Sequence, residues 1–321
     1  SNNNNNGSSS NNNNGLEGYF LVLDVLTETL SQRLNRWRKD EDRAINTCDV
    51  KKKNRRRRKF PFWNSINTST PTTQNVVVAD NEEEDDNNID ATALAKRTRM
   101  YERTRHVVLG IAQGMDYLSA HHIVNRDLKP GNVGFDDTQS NSIVKLFDFG
   151  MARHIQDCPP HELCGSPRYM APEVMKGEGY TLKVDVYSFG ILLFELCSLE
   201  VPFARQYGSH TKHKNKNAQK RQLSASASAA ASWWNRRVGT NGKQDTTNTK
   251  IHNVEDFYRR VIDTDLRPSE GLHFAAVLPC VKLRTLIEEC WHTDPIQRPS
   301  FQEIVPRLEQ IFAQTHTLSC L

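Results

Sequence analysis

The sequence predicts an α+β fold that is mainly helical and contains one small β-hairpin. The first observation is a long amphipathic pattern over residues 91–120, with apolar residues on one face of the helix. The second is a pair of short apolar segments, residues 133–135 and 143–146, separated by a polar turn. The third is the stretch at residues 184–199, which is apolar on nearly all sides and indicates a central buried helix.

Further local patterns extend this prediction along the chain. Apolar positions at helical spacing indicate three more helices, over residues 254–262, 278–290 and 301–312. The apolar run at residues 19–23 is rich in strand formers and is typical of a buried strand. Residues 27–30 then lead into a helical pattern that continues through Leu34 and Trp37.

Polar low-complexity tracts separate these blocks. Residues 1–15 are almost entirely Asn and Ser, which predicts a disordered tract. A partial domain over residues 16–315 follows, with inserts at about 40–90 and 205–252. The first insert contains a basic run and an acidic run, and such charge blocks seldom fold. A solvated loop is the favoured interpretation, and a nuclear-localisation or polyanion-docking role for the basic run is the alternative.

Composition limits the classes of protein to which this chain can belong. The net charge is only +4 over 321 residues, so we expect no specific nucleic-acid partner. Seven cysteines without paired spacing fit a reducing compartment better than a disulfide framework. The longest apolar run contains Asp185 and Glu195 and is too short to span a bilayer, so no membrane insertion is expected. We expect a cytoplasmic or nuclear protein and, because the chain begins with Ser1 rather than Met, a truncated reading frame.

Three short motifs occur in a fixed order in the middle of the chain. They are Asp-Leu-Lys-Pro-Gly-Asn at residues 127–132, Asp-Phe-Gly at 148–150 and Ala-Pro-Glu at 171–173. Their order and spacing resemble the protein-kinase signature of catalytic loop, magnesium motif and end of the activation segment. One such motif is weak evidence, whereas three in register around a predicted hairpin are specific.

The resemblance covers nearly all of the residues predicted to be ordered. It implies a kinase-like C-lobe with the hairpin at the cleft, ATP and Mg²⁺ as cofactors, and proteins as substrates. It also implies that residues 20–26 are the last N-lobe strand and the hinge, with the backbone around Asp24 and Leu26 facing adenine. No Gly-rich phosphate loop or strand lysine precedes Phe20, so we expect the N-lobe to be largely absent from this chain.

The chemistry of phosphoryl transfer explains why these residue types are needed. The reaction requires charge around the γ-phosphoryl group and a hydroxyl group oriented in line with it. Asp127 fits the carboxylate that accepts the hydroxyl proton, and Lys129 can place a cation against the γ-phosphate. Asn132 and Asp148 offer the hard oxygen ligands that Mg²⁺ accepts beside nucleotide phosphates. Gly150 is expected to permit the turn that aims Asp148 inward.

The resemblance is to the serine/threonine class, because Lys129-Pro130 occurs where tyrosine kinases usually carry Ala and Arg. Ser166 lies where the family places a hydroxyl that touches the catalytic Asp and Lys. Autophosphorylation of Ser166 is the alternative, since Arg126 could pair with a nearby phosphate. Residues 290–301 resemble the tyrosine-kinase-like branch of the serine/threonine kinases.

Four further residues have structural roles by resemblance. Asp185 is expected to tie down the backbone of the catalytic loop. Glu173 and Arg298 look like the buried ion pair of the family, in which an unpaired charge would cost roughly 3–5 kcal/mol. Asn125 stands where the family usually has His; it keeps hydrogen-bonding capacity but not apolar stacking, so weaker support of the magnesium motif is expected.

The predicted activation segment, residues 151–164, contains no Ser, Thr or Tyr. We hypothesise that Asp157 or Glu162 replaces a phosphate as the partner of Arg126. The segment also contains a short cluster of His and Cys residues, namely His154, Cys158, His161 and Cys164. Incidental surface residues are the favoured interpretation, because zinc needs four convergent ligands; zinc binding and a redox switch are the alternatives.

Two functions follow from the sequence. The first is a protein serine/threonine kinase with Asp127 as catalytic base. The second is an inactive, pseudokinase-like C-lobe that acts as an interaction scaffold. Small-molecule phosphotransferases of the aminoglycoside-kinase type are disfavoured, because residues 171–173 and Arg298 resemble the parts that shape a protein-substrate platform.

Overall fold

The computed structural model describes residues 26–59, 86–137, 142–159, 161–179, 181–206, 251, 253–270, 278 and 280–318. The Asn/Ser tract, the strand predicted at residues 19–23 and nearly all of the second insert lie outside the described residues. Within the described part of the chain, no helix has both the length and the apolar composition required to cross a bilayer.

The described elements confirm a mainly helical α+β fold with small sheets. The strands are β1 (Glu28–Thr29), β2 (Ile123–Val124), β3 (Val133–Asp136), β4 (Ile143–Leu146) and β5 (Arg153–His154). The helices are α1 (Leu30–Lys59), α2 (Asp86–Ala120), α3 (Pro172–Met175), α4 (Lys183–Ser198), α5 (Val254–Asp263), α6 (Val281–Cys290) and α7 (Phe301–Leu318). All of the helices predicted from apolar spacing are therefore present, with ends that shift by a few residues.

The core lies around α2 and α4. Helix α2 packs against α7 and α4, and its apolar face, which includes Val108, Ile111 and Met115, is buried. Helix α4 is enclosed on all sides, as its uniformly apolar sequence predicts. Apolar burial on this scale is the main force that stabilises the helical assembly.

The predicted hairpin is present and carries a third strand. Strands β3 and β4 are antiparallel, with Val133 opposite Leu146 and Asp136 opposite Ile143. Strand β1 pairs with the other edge of β3, although the sequence pattern there predicts only the start of a helix. A second pair, β2 with β5, joins the segment before the catalytic loop to the activation segment and is also absent from the sequence prediction.

Helix α1 differs most from the sequence prediction. It continues to Lys59, through the basic run that was expected to be part of a solvated loop from about residue 40. The physical reason is that Lys and Arg have good helix propensity, so a basic run can extend a helix whose start is held by the core. Leu30 and Leu34 anchor the start of α1 in the core, since both are fully buried. Residues 60–85 of the predicted insert lie outside the described residues.

Candidate active site

The backbone of the loop after β2 is held by the carboxylate of Asp185, a residue of α4. The backbone N–H groups of Asn125 and Arg126 donate to Asp185 Oδ2 and Oδ1, at 2.7 and 2.9 Å. This is the contact that the resemblance implies for Asp185. Burial raises the pKa of Asp185 from 3.8 to about 6, and the two backbone hydrogen bonds act in the opposite direction.

The carboxylate of Asp127 is held by three side chains. Asn132 Nδ2 donates to its Oδ2 at 3.0 Å, and Lys129 Nζ donates to the same oxygen. Ser166 Oγ donates to Oδ1 at 2.8 Å. Because each carboxylate oxygen accepts a hydrogen bond and one of the donors is a cation, the orientation of Asp127 is set before any substrate arrives.

Asn125 supports the catalytic loop through a local contact. Its Oδ1 accepts the backbone N–H of Asp127 at 3.1 Å, and its side chain is buried. A short polar side chain that bonds the backbone two residues on is a common turn device. The observed contact therefore orients the residue that carries the base, whereas the sequence predicted support of the magnesium motif.

Asp148 lies at the start of the turn that follows the hairpin. The N–H of Phe147 donates to the carbonyl of Asn132 at 3.1 Å, which connects the two motifs predicted to bind magnesium. Asp148 is exposed and adopts a left-handed backbone with φ 61°. The sequence predicts that Gly150 permits this turn; the left-handed φ lies at Asp148, and Gly150 has no positive φ. Asp tolerates a left-handed backbone better than most residues.

The predicted adenine-facing segment is described only in part. Asp24 lies outside the described residues, so its placement stays a prediction. Leu26 lies over strand β3, where a Cβ atom on Gly134 would be only 2.6 Å from Leu26 Cδ1. Glycine at position 134 permits this close approach, and any side chain there would displace the end of the Leu26 side chain. Leu26 thus borders the same hairpin that leads to Asp148.

A tight approach of two backbone segments positions Ser166. Gly165 has φ 105°, and a Cβ atom there would lie 2.5 Å from the carbonyl oxygen of Arg126. Only glycine is compatible with both this positive φ and this short distance. The next residue, Ser166, is thereby brought against the base, where its hydroxyl also accepts from Lys129 Nζ at 3.0 Å.

Comparison with known proteins agrees with this geometry. The family model for the protein kinase domain matches residues 64–307. The chain belongs to the protein kinase family.

Individual relatives are similar over parts of the kinase domain. A probable serine/threonine-protein kinase of Dictyostelium discoideum is 31% identical over 208 residues, which are 64% of this chain and 17% of the relative. The serine/threonine-protein kinase ATG1b of Arabidopsis thaliana is 41% identical over 100 residues, 31% of this chain and 14% of the relative. Mitogen-activated protein kinase kinase kinase 13-A of Xenopus laevis is 29% identical over 202 residues, 62% of this chain and 15% of the relative. The matched region thus spans only a small share of each relative.

The activation segment of the kinase domain is attached to the catalytic loop through Arg126. Arg126 Nε donates to the carbonyl of Met151 at 2.6 Å, and Nη1 forms an ion pair with Glu162. The side chain of Arg126 is 3% exposed, whereas Asp157, the other candidate partner, is an exposed residue of a short turn. Of the two acids proposed as phosphate substitutes, the structure places Glu162 against Arg126.

The ion pair implied at the end of the activation segment is also formed. Arg298 Nη1 and Nη2 donate to Glu173 Oε1 and Oε2 at 2.6 and 2.8 Å, and both side chains are buried. Such a bidentate pair holds the segment against the region between α6 and α7 with a defined geometry.

The His and Cys residues of the activation segment have separate local contacts. His161 Nδ1 bonds the carbonyl of Gly177, and Cys158 Sγ donates to the carbonyl of His154 at 3.7 Å. In the described part of the chain, no three His, Cys, Asp or Glu side chains converge as a metal site. Cys158 and Cys164 form no disulfide bond. The described geometry gives no support to the zinc alternative.

One group of connected polar residues near the site is not predicted by the sequence. Tyr169 OH donates to Glu195 Oε2, and Arg38 Nη2 donates to Glu195 Oε1. The signal in the sequence is Glu195 itself, an acid within a largely apolar helix.

Proposed function

We propose that this kinase domain transfers the γ-phosphoryl group of ATP to Ser or Thr hydroxyls of proteins, with Asp127 as the base. The observation that carries this proposal is the 2.8 Å hydrogen bond from Ser166 Oγ to Asp127 Oδ1. An aliphatic hydroxyl already donates to this carboxylate, which is the interaction that a substrate Ser or Thr must make. The names of the relatives, which describe serine/threonine-protein kinases, support the same class.

The proposed step uses groups whose positions are described. The acceptor hydroxyl donates to Asp127 while its oxygen attacks the γ-phosphorus; the bond from phosphorus to the bridging oxygen of ADP breaks, and the proton passes to Asp127. Lys129, which lies between Asp127 and Ser166, supplies positive charge next to the transferred group. Asn132 holds the base during this step through its amide N–H.

Mg²⁺ would be held by Asn132 and Asp148. The amide nitrogen of Asn132 bonds both the backbone and the side chain of Asp127, which leaves its carbonyl oxygen as the atom available to a cation. Asp148 adds an exposed carboxylate. Two hard oxygen donors fit the coordination preference of Mg²⁺, which binds one or two protein side chains and completes its coordination shell with phosphates and water. When bound, the ion would neutralise phosphate charge.

The test is phosphotransfer to a generic acceptor protein such as casein, with ATP and Mg²⁺ and analysis of the phosphorylated residue type. Asp127→Asn should lower the rate about 10²–10⁴-fold, the usual contribution of a positioned base. Asp40→Asn, the same change on the exposed surface of α1, should leave the rate unchanged.

Two outcomes would contradict the proposal. If the label appeared on tyrosine alone, the assignment to the serine/threonine class would fail. If wild-type protein transferred no phosphate under any condition that saturates ATP and Mg²⁺, the interaction-scaffold alternative would replace the enzyme.

A further inference from the structure

The densest positive charge of the chain lies at the end of α1, outside the site described above. Residues 51–59, here called the basic arm, consist of eight Lys or Arg residues and one Asn, so they carry a charge of +8. The whole chain carries only +4, and the rest of it is therefore net negative. A low overall charge thus coexists with a strong local positive field.

The structure gives the basic arm a helical backbone. Helix α1 (Leu30–Lys59) includes the whole arm, which makes about two and a half turns at 3.6 residues per turn. The eight basic positions are then spread around the helix axis with no gap wider than about 100°, and Asn54 lies in that gap. These turns contain no apolar residue. The arm therefore has basic positions on every face and no apolar face.

The basic arm continues a helix that is attached to the kinase domain by its first half. Leu34 is fully buried, and Glu41 pairs with Arg103 of α2. Past this pair, Asn46 and Thr47 are exposed. At a rise of 1.5 Å per residue, the arm begins about 15 Å beyond Glu41. The charge is thus carried on a helix that is exposed before the arm begins.

A partner for the basic arm must bring closely spaced negative charges to more than one side of a helix. A bilayer surface contacts a helix from one side, and helices that lie on bilayers place an apolar face in the headgroup region. Duplex DNA carries one negative charge per about 1.7 Å of its axis. Its major groove, about 12 Å wide, admits an α-helix between two rows of phosphates. Both the charge density and the shape of duplex DNA therefore fit the arm better than a membrane does.

We propose that the basic arm binds the phosphate backbone of duplex DNA without reading its sequence and so holds the kinase domain on DNA. Lys and Arg side chains that pair with phosphates release condensed counterions, which drives binding of this kind. Arg55, Arg56, Arg57 and Arg58 supply four consecutive guanidinium groups, each able to donate two parallel hydrogen bonds to phosphate oxygens. Phosphate contacts carry no sequence information. The inference does not rest on the proposed function, because it involves neither ATP nor Asp127.

The experiment compares two variants of the full chain that lose the same charge at different places. The arm variant replaces its four Arg residues by Gln, which removes four charges and keeps good helix propensity. The control variant replaces four exposed cations on other parts of the described surface by Gln, namely Arg105, Arg205, Arg259 and Lys282. Both variants lower the formal net charge from +4 to zero. Any difference between them therefore reports where the charge lies.

The first measurement is fluorescence anisotropy of a labelled DNA duplex at several salt concentrations. We expect a Kd of about 10⁻⁶–10⁻⁴ M at physiological salt, the usual range for sequence-independent binding. The arm variant should bind at least about tenfold more weakly, and its slope of log K against log salt should be shallower by about 2–4, since each lost phosphate contact removes about 0.9. The control should stay within about twofold of wild type, and so should a second duplex of unrelated sequence.

The second measurement replaces the DNA by two other polyanions at the same total charge. Vesicles that contain phosphatidylserine offer charge to one side of the arm only, and poly-glutamate spaces its charges by about 3.5 Å when extended. Wild-type protein should bind each of them at least about tenfold more weakly than duplex DNA.

Several results would overturn the inference. Undetectable binding of DNA at low salt, or equal weakening in the arm and control variants, would show that the arm is not a DNA-binding element. Tighter binding to the vesicles would assign the arm to membrane surfaces, and equal binding to poly-glutamate would leave only unspecific charge attraction.

One more variant tests whether the chain itself occupies the basic arm. The acidic run at residues 82–86 belongs to the same insert. If Glu82→Gln, Glu83→Gln, Glu84→Gln protein bound DNA and wild-type protein did not, the acidic run would be the partner of the arm, and the proposal would be wrong. If the arm variant fails to fold, as judged by circular dichroism, replacement of Lys51, Lys52 and Lys53 by Gln decides the question. A chain that binds DNA but transfers no phosphate would refute the proposed function alone.

Discussion

Replacement of Glu173 by Gln should destabilise the kinase domain strongly, because it leaves the charge of Arg298 buried without its counter-charge. All five N–H donors of Arg298 are used: two bond the carboxylate of Glu173, and three bond the backbone carbonyls of Lys183, His292 and Thr293. A Gln side chain keeps the size of Glu173 but offers one acceptor where there were two, and its NH₂ group faces another donor.

The magnitude follows from burial. The side chains of Arg298 and Glu173 are 0% and 7% exposed, so water cannot replace the lost partner. Breaking a buried pair by removing one charge costs about 3–5 kcal/mol. For a domain of this size each kcal/mol lowers the melting temperature by roughly 2–4 °C, so a fall of about 10 °C is expected.

The assay is urea denaturation followed by circular dichroism, with melting temperature as a second measure. Arg307→Met is the matched control: Arg307 pairs with Glu289, but both side chains are 37% exposed, so a loss of less than about 1 kcal/mol is expected. The double variant Glu173→Leu, Arg298→Met should recover only part of the loss, since no unpaired charge remains but the carbonyls of Lys183, His292 and Thr293 lose their donor. Equal losses of unfolding free energy for Glu173→Gln and Arg307→Met would refute the reasoning from burial.

Three further predictions test other parts of the domain. Arg126→Ala should lower phosphotransfer about tenfold even in phosphatase-treated protein, since Glu162 rather than a phosphate is its partner; an unchanged rate would contradict this. Burial raises the pKa of Asp185 from 3.8 in the unfolded chain to about 6 in the folded protein, so between these values the folded state binds the proton more tightly. The free energy of unfolding should therefore fall as the pH rises from about 4 to about 6. Urea midpoints of Asp185→Asn should lack that part of the pH slope, and parallel curves would count against the assignment. A thiol reagent on native protein should label Cys158, Cys164 and Cys280 well before Cys197 and Cys290. The reason is that burial raises the pKa of the Cys197 and Cys290 thiols, that of Cys197 to about 12. Labelling rates are measured by peptide mass spectrometry, and equal rates for all five cysteines would contradict the prediction.

The sequence by itself determined the class of fold and the chemistry of the site. Helical spacing identified α2, α4 and the three helices after the second insert, because a buried face leaves a periodic record in the chain. The motif that contains Asp127, Lys129 and Asn132 was readable because its members lie within six consecutive residues. Local patterns of this kind need no knowledge of what packs against them.

Tertiary structure decided which residues become partners. Arg38 and Glu195 are 157 residues apart, and no local pattern predicts that they meet. The choice of Glu162 over Asp157 as the partner of Arg126 depends on the path of the activation segment. Strands β1, β2 and β5 have only two residues each, too few to show alternation, so they exist because a neighbouring strand offers hydrogen bonds. Partner choice is a property of the packed chain, since it depends on where distant segments come together.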